Sequence, residues 1–271
     1  MPKPQPEQNQ LPVVQRLRLR YAKRGPLRFT SHRDFARAFE RAVRRAGLPI
    51  AYSQGFTPHP KISYASAAPT GAASEAEYLE VGLHTEVDPA WARAALDAAL
   101  SPGLDILDVR PAPAGGVGLP DLLTASRWRV ELPGVAPGRL EQAVAAFLAE
   151  DVVLVERMTK QGRRRFDTRA AVAAMKVAPT EVVAGAIPDT ATAEQCAMMD
   201  VVVRQVAPAV RPDDVLAGLR VVADLAPPVP PRAIRLAQGM LTPHGEIADP
   251  LENGEVASHD FVGDPVATSG L

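Results

Sequence analysis

Hydrophobic and polar positions alternate at the start of the chain. Val14, Leu17, Leu19 and Tyr21 interleave with Arg16, Arg18 and Arg20. A period of two predicts a half-buried strand over 14–21 with a basic outer face. A turn at 23–26 follows, with extended backbone expected again at 27–30. The period then lengthens. Phe35, Phe39, Ala42, Val43 and Ala46 fall at helical spacing, Ser31 stands at the N-cap with Asp34 three residues on, and Gly47 supplies the stop. The other face of this helix carries Arg33, Arg37, Arg41 and Arg44, spaced four, four and three residues apart, as one ridge.

Further along, 49–52 reads as extended. Residues 53–61 (SQGFTPHPK) hold Gly55, Pro58 and Pro60 and must be a loop. Strands are expected at 62–67, 78–83 and 104–109. A helix capped by Asp88 is expected from Pro89 through Trp91, Ala95, Leu96 and Leu100. Strand, helix, two strands, helix, strand is the order of a ferredoxin-like split βαβ unit, an antiparallel sheet with helices on one face. A looser copy follows: strand 128–132, helix 137–150, strands 151–158 and 163–166, a short helix at 167–177, strand 198–206 and a helix from 211. The expected class is therefore α+β with two ferredoxin-like units. The expected boundaries are a disordered lead 1–13, a basic domain 14–110, a linker 111–126, a smaller domain 127–226 and a disordered tail 227–271. The tail opens on prolines at 227–231 and carries only acids from Glu246 onward.

A length of 271 residues favours two domains over one, and the 46 % hydrophobic content supplies a core for each. One cysteine, Cys196, excludes an internal disulfide and any all-cysteine cluster. No apolar run matches a signal peptide or a membrane helix, so a cytoplasmic location is expected. Charge changes the picture most. Between 15 and 64 stand twelve Lys or Arg against Asp34 and Glu40, giving 12 − 2 = +10 in a chain of net charge −1. That asymmetry points to an anionic partner, with RNA the expectation.

Candidate chemistry follows the charge. Arg33, Arg37, Arg41 and Arg44 suit phosphates, the alternative being a solvated or protein-facing surface. Phe56 and His59 suit stacking on a base with Lys61 on phosphate; the alternative is a rigid turn with Phe56 in the core. His32, in the first turn, is placed for phosphate at a helix N-terminus or for acid–base work. Ser31, His32 and Asp34 are sequence neighbours at a helix start and form no triad. Ser74, Glu75 and Glu77 lack the companions of a metal site. Arg163, Arg164, Arg165 and Arg169 either extend the basic surface or form an exposed turn. The residues call for no metal and no cofactor, and no catalytic motif stands out.

Four blocks carry a family likeness: Arg28 to Asp34 (RFTSHRD), Arg41 to Pro49 (RAVRRAGLP), Tyr52 to Ser63 (YSQGFTPHPKIS) and Ser74 to Tyr78 (SEAEY). Together they resemble the bacterial radical-SAM-linked protein family, a domain of unknown function fused to radical SAM proteins or encoded near them. Over 120–225 only Arg164 to Arg169 (RRFDTR) is similar. The resemblance implies a partner of a radical SAM protein and not the radical enzyme itself, because the cysteine cluster motif is absent. The expected function is an accessory protein that binds RNA in its modification or processing. The alternative is an interaction subunit that docks a radical SAM enzyme without RNA affinity. A third class is an enzyme using His32.

Overall fold

Side-chain alternation builds the first half. In the computed structural model, which describes residues 11–54, 56–159, 162–179 and 196–252, β1 (Gln15–Lys23) buries Leu17, Leu19 and Tyr21. The chain then makes a 3-10 turn at Gly25–Phe29, where extended backbone was expected; Pro26 opens it. Helix α1 (His32–Arg45) is capped by Ser31, whose oxygen accepts from the Asp34 amide at 3.2 Å while its hydroxyl donates to the Asp34 carboxylate at 2.7 Å. Phe35, Phe39, Ala42 and Val43 form its buried stripe. Next come β2 (Ile62–Ala65), β3 (Ala73–Leu83), α2 (Pro89–Ala99) and β4 (Ile106–Pro111). These strands lie in the order β4-β1-β3-β2, every pair antiparallel. Helices α1 and α2 cover Leu17, Leu19, Tyr21, Leu79, Val81 and Leu83. In α2 the buried residues are Ala92 and Leu96, and Trp91 is exposed.

The second half contains β5 (Ala125–Pro133), α3 (Pro137–Ala149), β6 (Leu154–Thr159), β7 (Gly162–Asp167), β8 (Val172–Ala178), β9 (Cys196–Arg204), α4 (Pro212–Ala223) and β10 (Arg232–Leu241). The order β10-β5-β9-β8 is again antiparallel throughout, while β6 and β7 form a separate two-stranded ribbon. A second core packs α3 and α4 on β5, β8 and β9. The helix expected at 167–177 is instead strand β8. A bulge between Val172 and Ala174 shifts its phase and brings Val172 and Met175 into the same core; Ala178 is buried on the other face, so the buried positions fall three apart and imitate a helical stripe.

The fold is thus mixed α+β, with four α-helices among the described residues and one mostly antiparallel nine-stranded sheet. Two boundaries move. The expected linker 111–126 buries Leu119 and Leu123 against Ala65, Ala76, Tyr78 and Leu251. The expected tail supplies β10, at the centre of the sheet between β3 and β5, and β11 (Ile247–Ala248), which pairs with it. The prolines at 227–231 are therefore a connection. Directly after the expected lead, the Val14 amide donates to the Leu83 carbonyl at 2.9 Å; residues 1–10 and 253–271 lie outside the described residues.

The halves meet where β10 runs parallel to β3, Ile234 opposite Ala73 and Arg235 opposite Ser74. Arg235 is the link. Its guanidinium pairs with Glu77, donates to the Ser66 carbonyl at 2.8 Å and to Ser74 Oγ at 3.3 Å, and stacks on Trp128. The side chains of Arg235 and Glu77 are 3 % and 2 % exposed. Lys23 is buried beside them and donates to the Ala68 carbonyl at 3.4 Å; burial lowers its pKa, and Glu77 opposes that shift. Arg235→Ala would strand the Glu77 carboxylate, so urea unfolding should show a loss of about 3–5 kcal/mol. A loss under about 1 kcal/mol would mean that the junction tolerates an unpaired charge.

Candidate nucleic-acid interface

The basic segment divides into a neutralised part and a free part. Arg16 and Arg18 both pair with Glu80, at 3.2 and 3.1 Å. Arg20 pairs with Asp249 at 2.6 Å. Arg24 pairs with Asp105 at 2.7 Å and also with Glu75. All four acids lie outside 15–64, so the +10 of that stretch overstates its free charge. The outer side of β1 is a cross-strand charge ladder.

The ridge of α1 is different. Arg33, Arg37, Arg41 and Arg44 are all exposed, and none has an ion pair among the described residues. Steps of four, four and three residues set them about 6, 6 and 4.5 Å apart along the axis. Two acids lie within the ridge's span: Asp34, held by the Ser31 cap, and Glu40, which is half-buried. Four guanidinium groups on one face, solvated and uncompensated, form a local positive field.

Beyond α1 the chain makes an outward finger. Tyr52 and Pro60 form an isolated bridge, the Ser53 amide donates to the His59 carbonyl at 2.8 Å, and the His59 amide donates to Ser53 Oγ at 2.9 Å. Phe56, near the tip, is 83 % exposed. The alternative of Phe56 in the core is thereby excluded. His59 and Lys61 are also exposed, and the Lys61 backbone bonds to Ala51 and Gly82 at the finger's base. No hydrogen bond or ring contact among the described residues joins Phe56, His59 or Lys61 to the arginine ridge. The fold links them through β2, the strand that the finger leads into and that α1 starts over.

That link is aromatic. The ring of His32 meets Tyr64 on β2 edge-on at 5.1 Å, and Tyr64 stands edge-on to Phe35 at 5.9 Å. The Tyr64 hydroxyl is buried without a protein partner. His32 makes no side-chain hydrogen bond to Ser31 or Asp34, whose side chains bond each other. Upstream, half-buried Arg28 places its guanidinium 4.7 Å from the ring centroid of exposed Phe29.

Other candidates separate by role. Ser74 and Glu77 bind Arg235, Glu75 binds Arg24, and the Tyr78 hydroxyl donates to Asp249 at 3.3 Å. The Ser74–Tyr78 block is thus an ion-pair scaffold. No group of three potential metal ligands occurs among the described residues. Arg163, Arg164 and Arg165 are exposed on the β6–β7 ribbon, whereas Arg169 turns inward to the Val172 carbonyl at 3.3 Å. Cys196 is half-buried and free, and burial pushes its thiol pKa up.

A concavity on the other face of the sheet escapes sequence reading. A cleft of about 290 Å³ lies on the side of β1 and β3 away from α1 and α2, bordered by Arg20, Tyr78, Arg127, Gln238, Glu246 and Asp249. Asp249 and Gln238 fall within the stretch expected to be a tail. Only the alternation of Ile234, Leu236 and Gln238 behind the prolines could have signalled a strand there.

A mixed α+β protein with a buried polar junction and a one-sided cationic helix is the class that this geometry defines. The chain belongs to a family described as an uncharacterized protein conserved in bacteria, DUF2344, which matches residues 16–212. Among curated proteins none is significantly similar to it. No helix of the described residues is long and apolar enough to cross a membrane.

Two outcomes follow from the burial pattern. Burial pushes the hydroxyl pKa values of Tyr21, Tyr64 and Tyr78 well up, with nearby carboxylates adding to the shift. The fold therefore favours the neutral phenols. Their contribution is present below the unfolded value of about 10 and is lost as pH climbs toward the folded values. Tyrosinate absorbance of these groups should rise together with unfolding in an alkaline titration; ionisation while the fold persists would contradict the burial. Separately, Phe56→Ala and Arg37→Glu/Arg41→Glu should each shift denaturant stability by less than about 0.5 kcal/mol, because these side chains are exposed and the two arginines make no ion pair among the described residues.

Proposed function

We propose that this protein is a cytoplasmic RNA-binding accessory subunit that works beside a radical SAM enzyme in RNA modification or processing. The observation that carries the reading is the contrast between the arginines of β1, paired with Glu80 and Asp249, and the ridge arginines of α1, which make no ion pair among the described residues. A protein that neutralises its strand arginines and leaves four helical ones free presents a surface for phosphate. Exposed Phe56 supports base stacking at the neighbouring finger, with His59 and His32 as further contacts and Lys61 on the backbone. The radical SAM partner rests on the motif blocks between Arg28 and Tyr78. The repeated orders β4-β1-β3-β2 and β10-β5-β9-β8 support reading the halves as two ferredoxin-like units.

The test is binding of the purified chain to total cellular RNA across a salt series. Four phosphate contacts imply a slope of log K on log salt of about −3, near −0.7 per contact on single strands. Arg37→Glu/Arg41→Glu should abolish binding, and Phe56→Ala should weaken it by about 1–3 kcal/mol. Undiminished binding in the double variant would overturn the site. No binding even at low salt would overturn the RNA reading and leave α1 as the docking face for the radical SAM enzyme.

A further inference from the structure

Five buried side-chain polar atoms lack a partner among the described residues, and three of them belong to residues bordering this cleft: Arg20 Nε, Arg127 Nε and Gln238 Oε1. Each such atom left unmatched costs roughly 1–3 kcal/mol, so three on one wall are a chemical specification. Two are donors on permanently charged groups and one is an acceptor.

The surroundings fix what can answer them. Arg20 is satisfied on one edge only, where Nη1 meets Asp249. Asp249 is itself fully engaged, accepting from Tyr78 and from the Leu251 amide at 2.9 Å. Arg127 has no ion pair among the described residues, and Gln238 is 2 % exposed. A bulge between Arg235 and Ala237 brings Leu236 and Ala237 into the wall, a device that re-aims strand residues beside sites. Glu246 closes one side as an acceptor. The floor is shared between the halves, with Arg20 and Tyr78 from one and Arg127 and Gln238 from the other, and ligand sites favour such seams. A volume of 290 Å³ holds about ten waters or one small metabolite.

We infer that this cleft binds a small oxyanion-bearing molecule that also carries a hydrogen-bond donor. The oxyanion lies on Arg20 and Arg127, and the donor reaches Gln238. The shared chemistry admits a phosphate or a carboxylate source. The site is independent of the RNA interface, being on the opposite side of β1 and β3 from α1. Its roof is the β11 segment, which approaches so closely that a Cβ on Gly239 would stand 1.9 Å from the Ala248 carbonyl oxygen.

Calorimetric titration of the full chain with inorganic phosphate and, in a second arm, with L-glutamate tests this. At least one should bind saturably with a Kd of about 1 mM or tighter and raise the melting temperature. The arm that binds identifies the source. Arg127→Gln should weaken that binding at least tenfold while RNA affinity stays unchanged. Gln238→Glu, isosteric but anionic, should do the same by repulsion and serves if Arg127→Gln fails to fold. Absence of saturable binding by either probe up to about 10 mM, or binding indifferent to both substitutions, would overturn the inference and make the cleft a hydrated seam.

Discussion

Glu77 and Arg235 are brought together from positions 158 residues apart, and the ion pair each makes among the described residues is with the other, across the junction. A buried charge without a partner costs several kcal/mol, so the two halves are bound to dock in one register. That register lays β10 along the start of β3, continues the sheet from β4 to β8, and leaves β3 to share its outer edge between β2 and β10. Lys23, Ser74, Ser66 and Trp128 gather round the pair and complete its hydrogen bonding and packing.

From that junction the two faces of the first half acquire different characters. The side facing α1 and α2 is apolar, with Tyr21 stacked on Phe35 at 4.3 Å and Tyr64 filling in toward His32. The other side is polar and paired, running from Arg16 and Arg18 at Glu80 to Arg20 at Asp249. Charge on the paired side is used internally. Charge on the solvent side of α1 is left over, and that difference in bookkeeping separates scaffold from surface.

Local features were legible in the sequence. The Ser31 cap, the Phe35/Phe39 stripe and the arginine ridge all follow from neighbours within one helix, where spacing alone sets the geometry. The loop at 53–61 was equally plain from its prolines, although whether Phe56 pointed in or out depended on the bridge from Tyr52 to Pro60. What escaped was non-local. The acids that neutralise β1 and Arg24 come from β3, from the segment before β4 and from just beyond β11, so a window on the basic segment overestimates its free charge. Strand β8 was hidden by a bulge that changed its period. Strand β10 was hidden because five residues rich in proline precede it and an acidic stretch follows, a pattern that resembles a tail until a partner strand is supplied.

The central position of β10 has a consequence in time. Ser74 meets Arg235 only after 161 further residues exist. At a synthesis rate of about 5–20 residues per second, the first half waits roughly ten to thirty seconds with the early part of the β3 edge unpaired. An open edge invites pairing with another nascent chain. Glu75 and Glu77 sit on that edge. Glu75 is taken by Arg24 of the same half, but before Arg235 arrives the Glu77 carboxylate puts negative charge where another strand would have to add, so the residue that later holds the halves together first keeps strangers away.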